Sequence, residues 1–246
     1  MSFLKEIKFN WKESRDVKGY PFNIPSLRSV DSLDTEYNVV FFLGENGSGK
    51  STLLEALASK CGFATVGGSK NQILSDNRGN FELGRIMKLS WFPKINNGFF
   101  LRAESFFDFA NYLDDLAEDE LNSPEEVYMS YGGKSLHHQS HGESFMSLFN
   151  NRFKRKGIYI LDEPEAALSP QSQLGFIRMI WELESRGVAQ FIIATHSPIL
   201  LSYPNSIIYS MNDGIVKQID YKDTEHYNLT RDFLNSPEMF LSKILR

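Results

Sequence analysis

Apolar residues fall along this chain in short blocks set between polar, helix-forming stretches. Near the start, Ile7, Phe9 and Trp11 alternate with polar partners, the period of a half-buried antiparallel strand. Three later runs are apolar without alternation: YNVVFFL at 37–43, GIYILD at 157–162 and QFIIAT at 190–195. Strands buried on both faces read this way, as a parallel sheet covered by helices requires. Two more strands are predicted at RIMKLSWF (85–92) and GFFLRA (98–103). Helical patterns follow at STLLEALASK (51–60) and after Ser169-Pro170, where a capping hydroxyl and a first-turn proline open a helix that ends near Gly187. Ser197-Pro198 and Ser236-Pro237 carry the same start signal. SIIYSMNDGIVKQID (206–220) reads as a hairpin turning at Asn212-Asp213-Gly214. From about Ser105 to Phe153 the chain is helix-prone, and DDLAEDE (114–120) reads as a solvated face.

This pattern predicts an α/β fold with N-terminal antiparallel strands and a helical insertion near 105–153. No repeat, low-complexity tract or Gly/Ser/Pro linker divides it, so residues 1–246 are expected to form one domain. Its parts are 1–104, the insertion 105–153, and 154–246 as the second half of the core.

Composition narrows the class. An apolar share of 41% and a charged share of 23% are ordinary for a globular chain. A net charge of −5 argues against a general nucleic-acid coat, which needs clustered positive charge, while leaving room for a local basic patch. Cys61 is the single cysteine, so no intrachain disulfide can form and a reducing, cytoplasmic setting is expected. MSFLKEIKFN lacks the apolar stretch of a signal peptide, and no run approaches the roughly 18 apolar residues that span a bilayer.

The chemistry begins at residue 44. Gly44, Glu45, Asn46, Gly47, Ser48, Gly49, Lys50, Ser51 and Thr52 fit G-x-x-x-x-G-K-[ST] in full, between a buried strand and a helix. Glycines let the backbone fold into a nest of N–H groups aimed at phosphate oxygens, and the positive end of the helix dipole adds to it. Lys50 is placed to reach the outer phosphates and Ser51 to offer its hydroxyl to Mg²⁺. The loop alone is common to kinases, GTPases and motor ATPases.

The second half narrows that choice. The strand 157–162 delivers Asp162 and Glu163, then Pro164, at its C-terminal end, the edge where α/β proteins bind ligands. Alternation gives the two carboxylates separate jobs: Asp162 to hold Mg²⁺ through its water shell, Glu163 to orient and polarise the attacking water.

With Leu161-Asp162-Glu163-Pro164 closing the strand, the residues resemble the ABC-type ATPase superfamily. The resemblance implies a P-loop core whose helical insertion carries a phosphate-binding signature. Gln139-Ser140-His141-Gly142-Glu143 stands at that place, with Ser140 22 residues ahead of Asp162. Gln139 and His141 depart from the usual Leu and Gly, whereas Ser140, Gly142 and Glu143 match, the last in the variant of SMC-like chromosome-maintenance ATPases. A helix starting here would offer free amides as a second phosphate cradle; Ser140-x-x-Glu143 is equally a capping box ahead of Phe145 and Leu148, and both readings hold together. His196, 34 residues past Asp162, matches the superfamily's switch histidine, and Glu165–Ser169 its dimer-contact loop, with Ser169 in place of aspartate. Glu104 stands where a metal-positioning glutamine is usual, and it equally suits the start of the next helix. Tyr20 and Phe22 are the aromatics available to stack on adenine, although core packing is the common fate of aromatics in a chain with 20 phenylalanines.

FLRAESFFD, QSHGESF, ILDEPEAALSPQ and ATHSPILL together resemble a family of small stand-alone prokaryotic ABC-type ATPases, often called AAA family ATPases, over most of residues 20–240. The resemblance implies ATP and Mg²⁺ as cofactors and hydrolysis in a head-to-tail, ATP-sandwiched homodimer driving a partner protein. The long coiled coil of SMC proteins has no room, since 88 residues separate Thr52 from Ser140. An ATP-gated dimerisation switch and the nucleotide-binding subunit of a membrane transporter remain as alternatives. Nucleic acid is a conceivable partner that no motif specifies. His137, His138 and His141 lack matching carboxylates or cysteines for a metal site, and the basic run Arg152, Lys154, Arg155, Lys156 reads as a solvated face.

Overall fold

The computed structural model describes residues 2–14, 19–63, 78–119, 123–129, 133–136, 141–152 and 156–245. Six strands form the main sheet: β3 (Val39–Leu43), β5 (Gly98–Arg102), β6 (Gly157–Asp162), β7 (Ala189–Ala194), β8 (Ile207–Ser210) and β9 (Lys217–Gln218). Their order is β5-β6-β7-β3-β8-β9, parallel except for the final antiparallel pair. β8 and β9 are the predicted hairpin, joined through a 3₁₀ turn at Asn212–Gly214 in which Asp213 takes φ +57°. A second sheet, β2-β1-β4, is antiparallel and built from β1 (Leu4–Phe9), β2 (Ser32–Asp34) and β4 (Met87–Trp91).

The apolar runs explain the layering. Along β3, Val39, Phe41 and Leu43 enter one buried cluster while Val40 and Phe42 enter another, and β6 and β7 divide their side chains in the same way. One face is covered by α4 (Phe106–Glu118), α6 (His141–Arg152), α7 (Pro170–Ser185) and α8 (Pro198–Leu201). The other is covered by α2 (Lys50–Cys61), α3 (Arg78–Ile86) and the small sheet, while α1 (Pro25–Arg28) also contributes Leu27. The acidic insertion includes α4, α5 (Pro124–Met129) and α6; α9 (Glu225–Asn235) and α10 (Pro237–Ile244) close the chain. Among the described residues no helix is long and apolar enough to cross a membrane.

Several boundaries differ from the sequence reading. The first strand ends at Phe9, and Trp11 turns into a 3₁₀ helix where its ring stacks on Phe9 at 5.3 Å. Arg85 and Ile86 finish α3 rather than start a strand, because Ile86 packs into the core from the helix. Ser236 starts α10 without a side-chain cap bond, whereas Ser169 and Ser197 cap α7 and α8 as expected. Asp114 is not merely solvated: it accepts from Tyr128 Oη (2.7 Å) and Ser135 Oγ (2.9 Å), tying α4 to α5.

One side chain joins the two sheets. Gln190 on β7 is fully buried. Its Oε1 accepts from the backbone N–H groups of Phe3 (2.9 Å) and Leu4 (2.8 Å), and its Nε2 reaches the carbonyls of Leu4, Thr35 and Tyr37 at 2.8–2.9 Å. Because an orphaned buried polar group costs about 1–3 kcal/mol, Gln190→Ala is expected to destabilise the fold by about 3 kcal/mol or more. Urea unfolding checks this, and a loss under about 1 kcal/mol would mean that the small sheet is held by apolar packing alone.

Candidate functional site

The C-terminal ends of β3, β5, β6 and β7 share one edge, and the site is built there. Register places Arg102, Asp162 and Ala194 in one row, so the charged residues ending β5 and β6 are neighbours. Residues 44–49 link β3 to α2. Gly47 (φ +83°) and Gly49 (φ +97°) hold the left-handed conformations the turn needs, and a Cβ at Gly49 would lie 2.9 Å from the Ile24 side chain. The loop is pinned from outside by Glu45 N–H donating to Asn212 Oδ1 (2.9 Å) and by Ser26 Oγ donating to the Ser48 carbonyl.

Lys50, the first residue of α2, is only 4% exposed. Its ammonium donates to the carbonyls of Gly44 (2.6 Å) and Glu45 (3.2 Å), so it spans its own loop. Burial holds its pKa below the ordinary lysine value, against the opposing pull of Glu163, Asp162 and Glu165. Above it opens a cavity of about 530 Å³ lined by Tyr20, Lys50, Ser51, Arg102, Glu104 and Glu163 among others.

Asp162 ends β6 and is 1% exposed. Both carboxylate oxygens are buried without a hydrogen bond of normal geometry. Desolvation pushes its pKa up to about 6, although the Ser51 hydroxyl and the Arg102 guanidinium, whose Nε lies 3.5 Å away, favour the charged form. An orphaned buried carboxylate beside Ser51 fits a hydrated magnesium ion, which takes one or two protein oxygens and fills the rest with water and phosphate. No larger cluster of metal-ligating side chains exists among the described residues.

Glu163 sits in the left-handed region (φ 52°, ψ 50°), a strained conformation for a non-glycine residue, and lines the cavity half-buried. Its Oε1 lies 3.5 Å from Nε2 of His196. His196 follows β7, and its backbone N–H donates to Glu165 Oε1 at 2.6 Å. Burial lowers the His196 pKa, with Lys50 acting in the same direction and Glu163 against both.

The structure thus gathers residues 44–52, Glu104, Asp162, Glu163 and His196 around one edge. Glu104 lies in a 3₁₀ turn just before α4, largely exposed, with Oε2 2.9 Å from Arg102. Of the two aromatic candidates, Phe22 is buried in the core and is unavailable to a base; Tyr20 lines the cavity, 60% exposed, with its hydroxyl 3.0 Å from Thr52 Oγ1. For the signature, Gln139 and Ser140 lie outside the described residues, as do His137, His138 and residues 153–155. α6 starts at His141, and Phe145 and Leu148 beyond it are buried as the pattern required.

The contacts of three residues were not foreseen. Arg102 pairs with Glu55 (2.9 Å), Glu104 and Asp162 at once; a charged residue ending the apolar run GFFLR was its available signal. Glu165 anchors the backbone of His196. His226, from α9, places Nε2 3.0 Å from Nδ1 of His196, and nothing in its local sequence marks it.

A family model described as "AAA ATPase domain" matches residues 94–201, and one described as "AAA domain" matches 22–117. The energy-coupling factor transporter ATP-binding protein EcfA of Methanothermobacter thermautotrophicus is 27% identical over 216 residues, covering 82% of this chain and 68% of that protein. The L-arabinose transport ATP-binding protein AraG of Geobacillus stearothermophilus is 24% identical over 88% of this chain and 45% of its own length. Among solved structures, a nucleotide-free ATP-binding cassette from an ABC transporter aligns with a TM-score of 0.50 at 17% identity, over 97% of each chain. An SMC head bound to the C-terminal winged-helix domain of ScpA aligns with a TM-score of 0.51 at 13% identity, over 89% of this chain and 98% of that one.

The desolvated carboxylate of Asp162 gives a stability test. Its folded pKa lies above the 3.8 of an ordinary aspartate, so its contribution to stability is fully present below about pH 4 and is lost as pH rises through about 6. At pH 7 the cost is on the order of 3 kcal/mol. Ligand-free Asp162→Asn should therefore melt higher than the parent, with a gap that opens between pH 4 and 6; equal melting at every pH would mean the carboxylate is not desolvated.

The phosphate-binding loop, the paired carboxylates at the sheet edge, the cassette fold and the sequence likenesses agree: the chain has the fold of an ATP-binding cassette and is similar in sequence to ATP-binding proteins of the ABC type.

Proposed function

We propose that this chain binds ATP with Mg²⁺ in the cavity above residues 44–52 and hydrolyses it between two copies arranged head to tail, with Ser140, Gly142 and Glu143 of one copy facing the nucleotide of the other. The observation that carries this reading is the meeting of Lys50, Ser51, Asp162 and Glu163 at one strand edge, where the fold itself leaves Asp162 unsatisfied.

On this reading the amides of the loop take the phosphate oxygens, and Lys50 exchanges the carbonyls of Gly44 and Glu45 for an outer phosphate. Ser51 and Asp162 hold the metal. When bound, Mg²⁺ supplies neutralisation of the phosphate charge. Glu163, turned toward the cavity by its left-handed backbone, orients a water and accepts its proton. His196 Nε2, beside Glu163, contacts the terminal phosphate and senses its departure. Glu104 joins the metal's water shell from the cavity wall, and Tyr20 borders the adenine. Ser169 serves here as the N-cap of α7, a job aspartate performs equally well, which accommodates its place in the contact loop.

A second reading, a transporter's nucleotide-binding subunit, is favoured by the printed roles of EcfA and AraG. Against it stand the altered signature at Gln139 and His141 and Glu104 where glutamine is usual.

Glu163→Gln keeps the shape and removes the charge that polarises water. ATP should still bind and hold two copies together, while phosphate release falls roughly 10²–10⁴-fold. Turnover at the parent rate would remove Glu163 from the reaction. For the dimer, Ser140→Arg should leave ATP binding by the monomer nearly intact and abolish ATP-driven association in sedimentation; a persisting ATP-dependent dimer would leave Ser140 as a helix cap alone.

A further inference from the structure

The contact between His196 and His226 joins the end of β7 to α9, a helix that carries no phosphate-binding motif. The two rings are 5.2 Å apart at their centroids and inclined by 43°, with Nδ1 of His196 3.0 Å from Nε2 of His226. The remaining ring nitrogens, His196 Nε2 and His226 Nδ1, are buried without hydrogen-bond partners. Both residues are held from behind. Fully buried Thr224 caps α9 by accepting from Tyr227 N–H (3.3 Å), and Asn228 Nδ2 donates to the carbonyls of Lys222 and Thr224 at 2.9 and 3.0 Å. On the other side Glu165 holds the His196 backbone, and Ser197 caps α8 while donating to Gln173.

A ring-nitrogen pair at this distance holds one proton. With none, two lone pairs would face each other; with two, two N–H groups would collide. His196 Nε2 faces a carboxylate, which only accepts, so its proton belongs on Nε2. Nδ1 is then the acceptor, and the shared proton must come from His226 Nε2. Burial lowers the pKa of both imidazoles, which keeps both neutral and the pairing intact. Glu225 favours a charged His226 and Lys50 opposes it, and Lys50 opposes a charged His196 too.

We propose that His226 is a positioning residue: its Nε2–H fixes His196 as the Nε2–H tautomer and aims that N–H at Glu163's side of the cavity, where the terminal phosphate arrives. The inference rests on the reading of His196 as a phosphate contact. It makes the C-terminal helix α9 part of the catalytic geometry, although α9 carries none of the recognised motifs.

The test uses the full chain with ¹⁵N-histidine, reading the His196 tautomer by long-range ¹H–¹⁵N correlation, beside ATP turnover. The parent should show His196 protonated on Nε2. In His226→Leu that preference should be lost, and kcat should fall about 10–100-fold with KM for ATP little changed. His226→Gln, whose side-chain amide N–H still donates, should recover most of kcat and the tautomer. A parent chain with His196 protonated on Nδ1, or a His226→Leu variant that keeps the Nε2–H form, would overturn the proposal; the first needs no variant to fold. His196→Ala separates the two layers. If it turns over like the parent, the phosphate-contact reading of His196 fails and the catalytic part of the proposal fails with it, whatever the tautomer. If it is impaired while His226→Leu is not, the positioning role alone is wrong.

Discussion

Burial without partners at the C-terminal edge of the main sheet is the constraint on which the site depends. Lys50, Asp162, Glu165 and His196 are each pushed away from their charged forms by desolvation, and the fold answers none of them fully. Lys50 falls back on two carbonyls of its own loop, and Asp162 has only the nearby Ser51 hydroxyl and Arg102. A chain selected for stability alone would replace such groups with apolar ones. Their retention makes sense when a ligand completes them, and that ligand then stabilises the folded state by mass action.

The scaffold can carry this cost because the sheet beneath is sealed on both sides. Odd and even residues of β3, β6 and β7 feed separate clusters, so every strand that ends in the site is fixed from two directions. Gln190 adds a polar clamp at the opposite end of β7, where its amide satisfies five backbone groups. Rigid strands are what place Arg102, Asp162 and Ala194 in register. Loops alone would not hold a carboxylate in so dry a position.

What the sequence made legible were features written along the chain. The loop 44–52, the apolar strand ending in Asp162-Glu163, the Ser-Pro helix starts of α7 and α8 and the hairpin β8–β9 all depend on neighbours within a few residues. What it hid depends on distance in sequence. Arg102 meets Asp162 through strand register, and His226 meets His196 across 30 residues and a change of element. Short β2 has three residues and too little period to detect, and α9 is polar on most of its surface, with no buried residue to mark it. Phe22 and Tyr20 were indistinguishable as aromatics two positions apart; only packing sends one to the core and the other to the cavity.

The charge count around the cavity favours a divalent cation in the chemistry proposed above. Lys50 and Arg102 face five carboxylates, those of Glu55, Glu104, Asp162, Glu163 and Glu165. Arg102 is already shared among three of them, and Lys50 is only partly free to move from its loop carbonyls. A polyphosphate entering on its own would add negative charge to an acidic pocket and be repelled by it. A divalent cation arriving with it reverses that balance next to Asp162, whose two oxygens are buried without a hydrogen bond of normal geometry. Glu163, a third exposed, stays open to the solvent that would supply an attacking water on the proposed reading, while Asp162, sealed at 1%, suits the holding role proposed for it. Adjacent in sequence, the two acids are separated in role by one left-handed residue at the end of β6.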